Sequence, residues 1–388
     1  MGCGSNGIVR KTPLAEVHKN LGATMVDFAG WYMPMQYTSV IDEHTTTRTK
    51  AGLFDICHMG EFIVKGKGSF NFLQKMAVND LNKLTVGKAI FNILCYENGT
   101  VIDDLFIYKL KENEYMIVVN ACNIQKDLEW LKKHKGNFEV EINDVSDQTA
   151  KLDLQGPLSE KILRKLTSAE LPKRFHFIET ELSEIRTIIS RTGYTGEDGF
   201  EFYFPAENAE KIWTEILDAG EEYGIKPIGL GARDTLRIEA CYPLYGHETN
   251  DKITPIEVGL GWLVKTEKED FIGKEILKKQ KEHGTERILV VFEMVDRGIA
   301  RENYEIFANN EKIGHVTSGT FSPTFRKSLG MALIKKPFSE IGNELNIKIK
   351  GKLHKAKIVK RPFYEYKGGQ KWKTQKILNT PKTMNGLR

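Results

Sequence analysis

The most informative absences from this 388-residue sequence are long apolar runs and paired cysteines. No stretch approaches the roughly 18 uninterrupted apolar residues that a membrane-spanning helix needs, so we expect no membrane association. The five cysteines are odd in number and widely spaced and include no CxxC motif, which argues against a disulfide framework and a zinc ribbon. This cysteine usage fits a reducing compartment. We therefore expect a cytoplasmic protein, or one of the mitochondrial matrix if the source is eukaryotic.

Motifs for nucleotides, metals and nucleic acids are also missing. The segment GLGARD begins like GxGxxG but has aspartate at the third glycine position, and no Walker A loop is present. His247 and Glu248 do not begin an HExxH motif, and Cys57 and His58 are adjacent, a spacing that does not put both on one metal. No zinc finger, RNP-type motif or basic-region heptad occurs. We expect no metal, no nucleotide cofactor and no nucleic-acid partner.

The two ends of the chain differ from its centre. The N-terminal MGCGSNGIVRKTP, residues 1–13, lacks the apolar segment of a secretory signal, and we expect it to be a disordered leader. From Gly351 to Arg388 there are eleven lysines or arginines against one acid, Glu365. This stretch is either a solvated terminus or a basic surface for an anionic partner.

Composition and periodicity indicate the fold class. With 40% hydrophobic and 28% charged residues, the chain is typical of soluble globular proteins, and its length favours two or three domains. Apolar residues recur at helical spacing in residues 124–134, 208–223 and 273–283. Alternating runs predict strands at residues 61–66, 115–120, 186–193 and 201–206. Because there is no strict βαβ rhythm, we predict an α+β fold with mainly antiparallel sheets.

The residue pattern changes after about Phe271. Short strand-like runs such as RILVVFEMV and ELNIKIKGKLHKAKIVKR alternate with turn residues. The segment ANNEKIG, residues 308–314, has the composition of a hairpin turn. This region is therefore predicted to be a separate C-terminal β-barrel or jelly-roll-like domain.

Two adjacent aspartates, Asp103 and Asp104, lie within GTVIDDLFIYKL, which otherwise has the pattern of a strand. Aspartate is depleted in strands, and adjacent side chains point to opposite faces, so only one of the two can face a given cavity. Alternation places Asp104 on one face with Ile102, Phe106 and Tyr108. A carboxylate beside an aromatic wall suits a polar ligand or proton chemistry, and the alternative is that both aspartates cap a turn at a strand start.

Two further segments combine charged residues with glycines and aromatics. In RTGYTGEDGFEFY a tight turn leads into a strand in which Glu201 faces away from Phe200 and Phe202. The alternative is an ordinary hairpin with one exposed glutamate. In GLGARDTLRIEACYPLYGHE, Arg233 and Arg237 lie one turn apart on a predicted helix. They are either a surface pair or part of a pocket rim formed with the aromatic segment that follows.

In their order along the chain, these segments resemble the aminomethyltransferase (T-protein) family of the glycine cleavage system. The family belongs to the folate-binding aminomethyl- and methyltransferases. The resemblance covers nearly the whole chain and rests on KTPLAEVHKNLGATMVDFAGWYMPMQY, AGLFDICHMGEF, GTVIDDL, LQGP, GYTGEDGFE, GARDTLRIEA, YGHE, TPIEVGLGW, IGHVTSGTFSPTF and RPFY. The sequence departs from the family in two places, with CHM where SHM is usual and with a longer, basic tail after RPFYEY.

The resemblance implies a set of site residues. Asp104 would project into a central folate cavity and contact the reactive N5/N10 region of tetrahydrofolate, with Asp103 as its outward partner. Glu201 would accept hydrogen bonds from the pterin ring nitrogens and amino group, and Arg233 would also contact folate. Six further residues fall at pocket positions of the family: Met59, Tyr108, Tyr115, Asn120, Tyr194 and Tyr242.

The resemblance also implies a three-domain cloverleaf around the folate cavity. Residues 1–60 and 147–270 would form a discontinuous folate-binding domain, and residues 61–146 an inserted α+β domain. Residues 271–372 would form the C-terminal β-barrel domain, and residues 373–388 a basic tail.

The implied reaction transfers the one-carbon unit from the S-aminomethyl-dihydrolipoyl arm of a lipoylated H-protein to tetrahydrofolate, giving 5,10-methylenetetrahydrofolate and ammonia. The basic surface would be the docking site for the H-protein. One alternative is a tetrahydrofolate-dependent demethylase of a sulfonium, amine or aryl ether on the same scaffold. Another is a non-catalytic folate-binding protein of iron–sulfur assembly. The KGCYxGQE-like signature of that group is replaced here by EACYPLYGHE.

Overall fold

The computed structural model of the protein describes residues 9–366. Within them the chain forms eight α-helices: α1 (Ala15–Asn20), α2 (Val40–Thr49), α3 (Ser69–Met76), α4 (Ile124–Lys133), α5 (Ser159–Leu166), α6 (Ala209–Gly220), α7 (Leu230–Glu239) and α8 (Lys274–His283). Short 3₁₀ helices occur at Leu81–Lys83, Ala121–Asn123, Ser146–Gln148, Ala206–Asn208, Glu221–Tyr223 and Lys336–Phe338. The helices predicted from periodicity correspond to α4, α6 and α8, and the helix predicted to carry Arg233 is α7.

The strands of the first half are β1 (Arg10–Lys11), β2 (Thr24–Phe28), β3 (Trp31–Gln36), β4 (Gly52–Asp55), β5 (Gly60–Lys65), β6 (Ala89–Cys95), β7 (Val101–Lys111), β8 (Glu114–Val119), β9 (Glu141–Asp144) and β10 (Thr149–Gln155). Those of the second half are β11 (Phe177–Leu182), β12 (Ile185–Ser190), β13 (Gly199–Pro205), β14 (Lys226–Ile228), β15 (Arg287–Met294), β16 (Glu305–Ala308), β17 (Glu311–Ser322), β18 (Lys327–Lys335), β19 (Glu344–Ile349) and β20 (Lys352–Val359). The four strands predicted from alternation correspond to β5, β8, β12 and β13.

These strands form three open sheets and one barrel. The open sheets have the orders β1-β3-β2, β6-β7-β8-β5-β9 and β11-β12-β13-β10-β4-β14, and the closed barrel is β15-β18-β17-β16-β19-β20. In the described part of the chain, β1–β3 and β4–β14 pair in parallel and the other pairs are antiparallel. The predicted α+β class, the mainly antiparallel sheets and the C-terminal barrel are confirmed.

The five-stranded sheet buries a different set of side chains on each face. On one face, Leu105 and Ile107 of β7 lie in a core with Leu128 and Leu131, part of the apolar stripe of α4. On the opposite face, Tyr108 packs in a separate cluster with Tyr203 of β13. The sheet therefore stands between its own helices and the six-stranded sheet.

The predicted alternation along β7 fails at Ile102. This side chain packs with Leu105 in the helix-facing core and not on the face of Asp104. The reason is a register shift between β6 and β7, located between Leu94 and Cys95, where Leu94 pairs with Asp103 and Cys95 with Val101. An extra residue in one strand resets the two-residue period at that point. From Asp103 onward the predicted alternation holds.

Helix α7 lies between the six-stranded sheet and the barrel. Ala232 and Leu236 pack against Phe54 of β4 and Ile228 of β14. Two residues further on, Ile238 packs with residues of the barrel, including Met331. The helix is therefore fixed from both sides and can hold its polar side chains in defined positions.

The barrel confirms the predicted hairpin turn. Asn309 and Asn310 connect β16 to β17, and their φ angles are 51° and 65°. A two-residue hairpin turn with both residues in the left-handed region favours asparagine, because its short polar side chain tolerates that conformation.

The chain ends differ from the expectation for the leader. Residues 1–8 and the predicted basic tail, residues 373–388, lie outside the described residues. The leader prediction is wrong for residues 9–13, because Arg10 and Lys11 pair with Trp31 and Tyr32, and Thr12 donates to buried Asp55.

No helix within residues 9–366 combines the length and apolarity needed to cross a membrane. The domain boundaries given above stay predictions.

Candidate functional site

A cavity of about 800 Å³ opens where the two larger sheets, α7 and the barrel meet. Its walls include residues 104–106 of β7, residues 191–194 after β12, and residues 240–247 after α7. Leu289 of the barrel and Arg361 close to the C-terminal end of the described chain also line it. A volume of this size accommodates a drug-sized organic ligand.

The structure brings seven of the nine predicted site residues to this cavity: Met59, Asp104, Asn120, Tyr194, Glu201, Arg233 and Tyr242. They come from strands, a helix and loops that are far apart in the sequence. The two others, Tyr108 and Tyr115, are not among the lining residues.

Asp104 is the half-buried member of the aspartate pair. Its Oδ1 is 3.4 Å from Thr249 Oγ1 and 3.5 Å from Asn120 Nδ2, so its hydrogen bonds are long. Burial, followed by the nearby charge of Asp103, raises the pKa of Asp104 to about 8. The carboxyl group is therefore mainly protonated at neutral pH and can give up a proton within the cavity.

Asp103 points away from the cavity but does not reach solvent, since it is completely buried. It accepts hydrogen bonds from the Asn120 backbone N–H at 2.9 Å, from Asn120 Nδ2 at 2.8 Å and from Asn123 Nδ2 at 2.6 Å. These donors explain how a strand can carry two aspartates, because each carboxyl group has its own polar surroundings.

Glu201 lies on the wall beside a buried cation. Lys151 Nζ is 3.1 Å from Glu201 Oε1, and Thr192 Oγ1 donates to Glu201 Oε2. Burial alone would raise the pKa of Glu201, but the Lys151 charge and the Thr192 hydrogen bond outweigh it, and the pKa is lowered. Glu201 is therefore an ionised acceptor at neutral pH. It is 6% exposed, so the alternative of an exposed glutamate in a hairpin is wrong.

Arg233 and two tyrosines form the neighbouring wall. Arg233 Nη1 is 3.5 Å from Asp153 Oδ2, and its guanidinium lies 4.7 Å from the centroid of the Tyr194 ring. The rings of Tyr194 and Tyr242 are 5.8 Å apart and tilted by 32°, and the Tyr194 hydroxyl donates to the Pro243 carbonyl. This wall offers flat apolar surface with one cation at its edge.

Arg237 has a different role from Arg233. It is 1% exposed and pairs with Glu248 at 2.8 Å and Asp234 at 2.8 Å, while its Nη2 donates to Ser318 Oγ of β17 at 2.7 Å. The alternative of a surface arginine pair is therefore wrong. The side chain fixes α7 to the barrel beneath the cavity.

Tyr108 and Tyr115 lie behind the cavity wall. Tyr115 packs in the helix-facing core, because side chains alternate along β8 and Val118, three residues further on, lies on the opposite face and lines the cavity. Tyr108 is on the correct face but further along β7, where its hydroxyl is 2.9 Å from the Tyr203 hydroxyl and 3.4 Å from Thr192 Oγ1. It contacts Thr192, which in turn binds Glu201.

Sequence reasoning missed several residues at this site. Lys151 and Asp153 stand on β10 directly behind Glu201 and Arg233, and their signal is the alternation of polar residues in the otherwise apolar TAKLDLQ. Burial, followed by the Glu201 charge, raises the pKa of Asp153 to about 7. Trp262 also lines the cavity and is 62% exposed, which places it at the mouth.

Within residues 9–366, no group of three or more histidine, cysteine, aspartate or glutamate side chains is arranged to hold a metal ion. The chemistry available to the cavity includes carboxyl groups in two protonation states, arginine guanidinium groups such as that of Arg233, and aromatic walls. This arrangement suits binding of a flat heterocycle and proton transfer.

Two family models match the chain. The GCVT N-terminal domain matches residues 14–268, and the glycine cleavage T-protein C-terminal barrel domain matches residues 287–365. An aminomethyltransferase of Geobacillus sp. (strain WCH70) is 52% identical over 362 residues, covering 92% of this chain and 99% of that relative. One of Caldanaerobacter subterraneus subsp. tengcongensis is 51% identical over 367 residues, covering 94% and 98%.

The fold is similar to a solved structure. The crystal structure of glycine cleavage system aminomethyltransferase T from Bartonella henselae matches with a TM-score of 0.87 at 32% identity, covering 92% of this chain and 98% of that one.

Proposed function

The chain belongs to the glycine cleavage T-protein family, and from this premise we propose that it transfers a one-carbon unit from an aminomethylated lipoyl arm to tetrahydrofolate. The donor is the S-aminomethyl-dihydrolipoyl arm of an H-protein. The products are 5,10-methylenetetrahydrofolate, ammonia and the reduced lipoyl arm. The protein acts in the cytoplasm.

The observation that carries this proposal is the pair of carboxyl groups, Asp104 and Glu201, on the walls of one cavity. Their surroundings move the two pKa values in opposite directions, upward to about 8 for Asp104 and downward for Glu201. Groups with separated pKa values in one site commonly divide the tasks of acid catalysis and binding. Asp104 is therefore the candidate for proton transfer and Glu201 for recognition.

Glu201 suits the pterin ring of folate. An ionised carboxylate can accept two hydrogen bonds side by side from a ring N–H and an exocyclic amino group. Lys151 and Thr192 hold its oxygens in place before a ligand arrives, which lowers the ordering cost of binding. Tyr194, Tyr242 and Met59 supply flat and flexible apolar contacts around this end of the cavity, and Arg233 lies at its edge.

Asp104 suits the reacting end. In the reaction, the bond from the aminomethyl carbon to nitrogen breaks as ammonia leaves, and the bond from this carbon to sulfur breaks as the thiol is released. Two new bonds form to N5 and N10 of tetrahydrofolate, whose N–H protons balance those gained by ammonia and the thiol. A protonated carboxyl can donate to the leaving nitrogen, and its ionised form then stabilises the iminium-like carbon.

The alternative demethylase and iron–sulfur assembly functions are not favoured, because relatives about half identical over nearly the whole chain are named aminomethyltransferases. A lipoylated H-protein is the partner in this proposal. No docking surface is assigned to it, because the basic residues 373–388 lie outside the described residues.

The test is a folate-dependent assay of the purified protein with lipoylated, aminomethyl-loaded H-protein, in which methylenetetrahydrofolate and ammonia are measured together. We expect both products in equal amounts. Asp104→Asn should lower kcat at least a hundredfold and leave the affinity for tetrahydrofolate within about threefold, because general acid–base groups contribute roughly 10²–10⁴ in rate. Asp218→Asn, an exposed change on α6, is the matched control. Normal turnover by Asp104→Asn would refute the role of Asp104, and folate binding without turnover would refute the proposed donor.

A further inference from the structure

A second carboxyl pair lies directly behind Asp104. It consists of Asp103 on β7 and Asp127 on α4, and both side chains are 0% exposed. Asn123, which donates to Asp103 at 2.6 Å, directly precedes α4, and Asp127 lies four residues further along the same helix. The two carboxyl groups therefore face each other, and each influences the ionisation of the other. Two buried carboxylates in contact repel each other, and neither can donate a hydrogen bond unless it carries a proton. The contact therefore requires one shared proton.

The surrounding donors are distributed unequally between the two groups. Asp103 accepts three N–H bonds, two from Asn120 and one from Asn123. Neither oxygen of Asp127 has a hydrogen-bond donor among residues 9–366. Since N–H donors stabilise the ionised form of a carboxyl group, the negative charge resides on Asp103 and the proton on Asp127.

The other titratable groups that face this pair are Asp104, Lys126, Tyr96 and Tyr245. Lys126 precedes Asp127 in α4. Its ammonium group donates to the Ile102 carbonyl at 2.6 Å and to the Tyr245 hydroxyl at 2.8 Å. The lysine therefore offers nearby positive charge without a hydrogen bond to Asp127.

The pair is linked to Asp104 through one amide group. Asn120 Nδ2 is 2.8 Å from Asp103 Oδ1, 3.0 Å from the Asp104 carbonyl oxygen and 3.5 Å from Asp104 Oδ1. Asp103 also fixes the Asn120 backbone N–H. The orientation of Asn120, and with it the surroundings of the Asp104 carboxyl, therefore depends on Asp103.

We propose that Asp127 is a positioning residue for Asp104, which acts by keeping one proton that it donates to Asp103, so that the pair carries a single dispersed negative charge. The inference rests on the proposed function, since it concerns the carboxyl group assigned there to proton transfer. Asp127 itself does not touch the cavity; it acts through Asp103 and Asn120.

Two substitutions separate this role from simple packing. Asp127→Asn keeps the shape and supplies an N–H donor to Asp103, so the pair still has one negative charge. Asp127→Leu has a similar size but removes the donor, so the negative charge concentrates on Asp103, the residue next to Asp104. The first variant should therefore behave like the wild type at Asp104, and the second should not.

The first measurement needs no substrate. Infrared spectroscopy of the full chain should show protonated carboxyl bands at pH 7, of which Asp104→Asn removes one and Asp127→Asn another. The Asp104 band should titrate at the same pH in the wild type and in Asp127→Asn, and at higher pH in Asp127→Leu. Loss of no band in Asp127→Asn, or an unchanged Asp104 titration in folded Asp127→Leu, would overturn the proposal. If Asp127→Leu does not fold, the Asp127→Asn band decides.

The second measurement uses turnover. Asp127→Leu should lower kcat about tenfold with little change in the KM for tetrahydrofolate, while Asp127→Asn stays within about twofold, because supporting residues typically contribute 10–100-fold. An equal loss in both variants would also overturn the proposal, since it would mean that the carboxyl group itself is required. If the wild type does not turn over with H-protein, the proposed function fails, and the infrared result still decides the role of Asp127.

Discussion

At the residue scale, the cavity contains two carboxyl groups whose surroundings give them different protonation states. Glu201 has a cation and a hydroxyl against its oxygens, whereas Asp104 has only long hydrogen bonds and a second acid behind it. The same chemical group is thus an anion on one wall and an acid on the other. Both protonation states depend on residues behind the cavity wall, Lys151 for Glu201 and Asp103 for Asp104.

The raised pKa of Asp104 predicts a cost in stability. Its folded pKa of about 8 lies above its ordinary value of 3.8, so the folded state binds the proton more tightly than the unfolded state does. The free energy of unfolding therefore falls as pH rises from about 4 to about 8. Asp104→Asn should remove this penalty and raise the free energy of unfolding by about 1–3 kcal/mol at pH 8, and by little at pH 4. Urea titrations at the two pH values measure this, and a difference independent of pH would contradict it.

Lys151 predicts a change in folate binding. Lys151→Met removes the cation that keeps Glu201 ionised, so the pKa of Glu201 should rise and the carboxylate should be lost as pH falls. We expect the Kd for tetrahydrofolate to increase about tenfold at pH 7, the equivalent of ~1.4 kcal/mol, and to increase further at lower pH. Fluorescence titration measures the Kd, and the exposed Lys161→Met is the control. A Kd that is unchanged and independent of pH would show that Lys151 is not needed.

At the scale of elements, α7 connects the parts of the molecule through its polar residues. Arg233 reaches the cavity, and Glu239 at the end of the helix accepts hydrogen bonds from Arg48 of α2 and from Ser322 of β17. Burial opposes ionisation of Glu239, but the hydrogen bond with His44 and the Arg48 charge outweigh it and lower its pKa to about 2. One helix therefore holds the cavity wall and the barrel in a fixed relation.

Glu239→Gln should weaken this connection. It leaves the Arg48 guanidinium, which is 6% exposed, without its full counter-charge, and we expect a loss of about 3 kcal/mol in the free energy of unfolding at pH 7. Because the folded pKa lies below the ordinary 4.5, the wild-type advantage should be complete above pH 4.5 and disappear towards pH 2. Urea unfolding against the exposed Glu210→Gln control measures it. Equal stability of both variants would contradict the prediction.

Periodicity predicted several of the elements, and local pattern failed where the pairing with distant strands decides which way a side chain faces. The helices α4, α6 and α8 carry clear apolar stripes, and the Asn309–Asn310 turn has its own chemistry. The placement of Tyr115 depends on which face of β8 packs against another sheet. The local sequence does not indicate this. The alternation at Ile102 failed because a neighbouring strand shifts register.

The site could be predicted in part for the same reason. Asp104, Glu201 and Arg233 stand in unusual sequence surroundings, which makes them candidates. The residue pattern alone leaves open whether they are capping or surface charges, and the resemblance to the family implies their place in the cavity. The role of Lys151 depends on the pairing of β10 with β13, which places Asp153 opposite Glu201. This pairing also brings Lys151 beside Glu201. Asp127 looks like an ordinary polar residue of an amphipathic helix until its partner Asp103 is brought against it by the fold.

At the scale of the whole molecule, the cavity belongs to no single sheet. Its lining comes from β7, α7, the loops after β12 and α7, and the barrel. A ligand that touches all of these should stabilise them together, because binding only to the assembled state shifts the unfolding equilibrium.

Tetrahydrofolate should therefore raise the midpoint of thermal unfolding of the N-terminal part and the barrel as one transition. At a concentration of 100 times its Kd, the expected gain is about 2.7 kcal/mol. Differential scanning calorimetry measures the midpoint, and Glu201→Gln should reduce the shift at the same concentration. Stabilisation of one transition while a second stays unchanged would show that the ligand contacts only part of the lining.

The position of β4 in the six-stranded sheet has a consequence for synthesis on the ribosome. Its partners β10 and β14 are made about 90 and 170 residues later, so β4 leaves the exit tunnel with both edges unpaired. At 5–20 residues per second this delay before β10 is on the order of ten seconds. The five strands β5–β9 emerge in the interval and can pair among themselves, so the nascent chain completes its inserted sheet before the sheet that surrounds it.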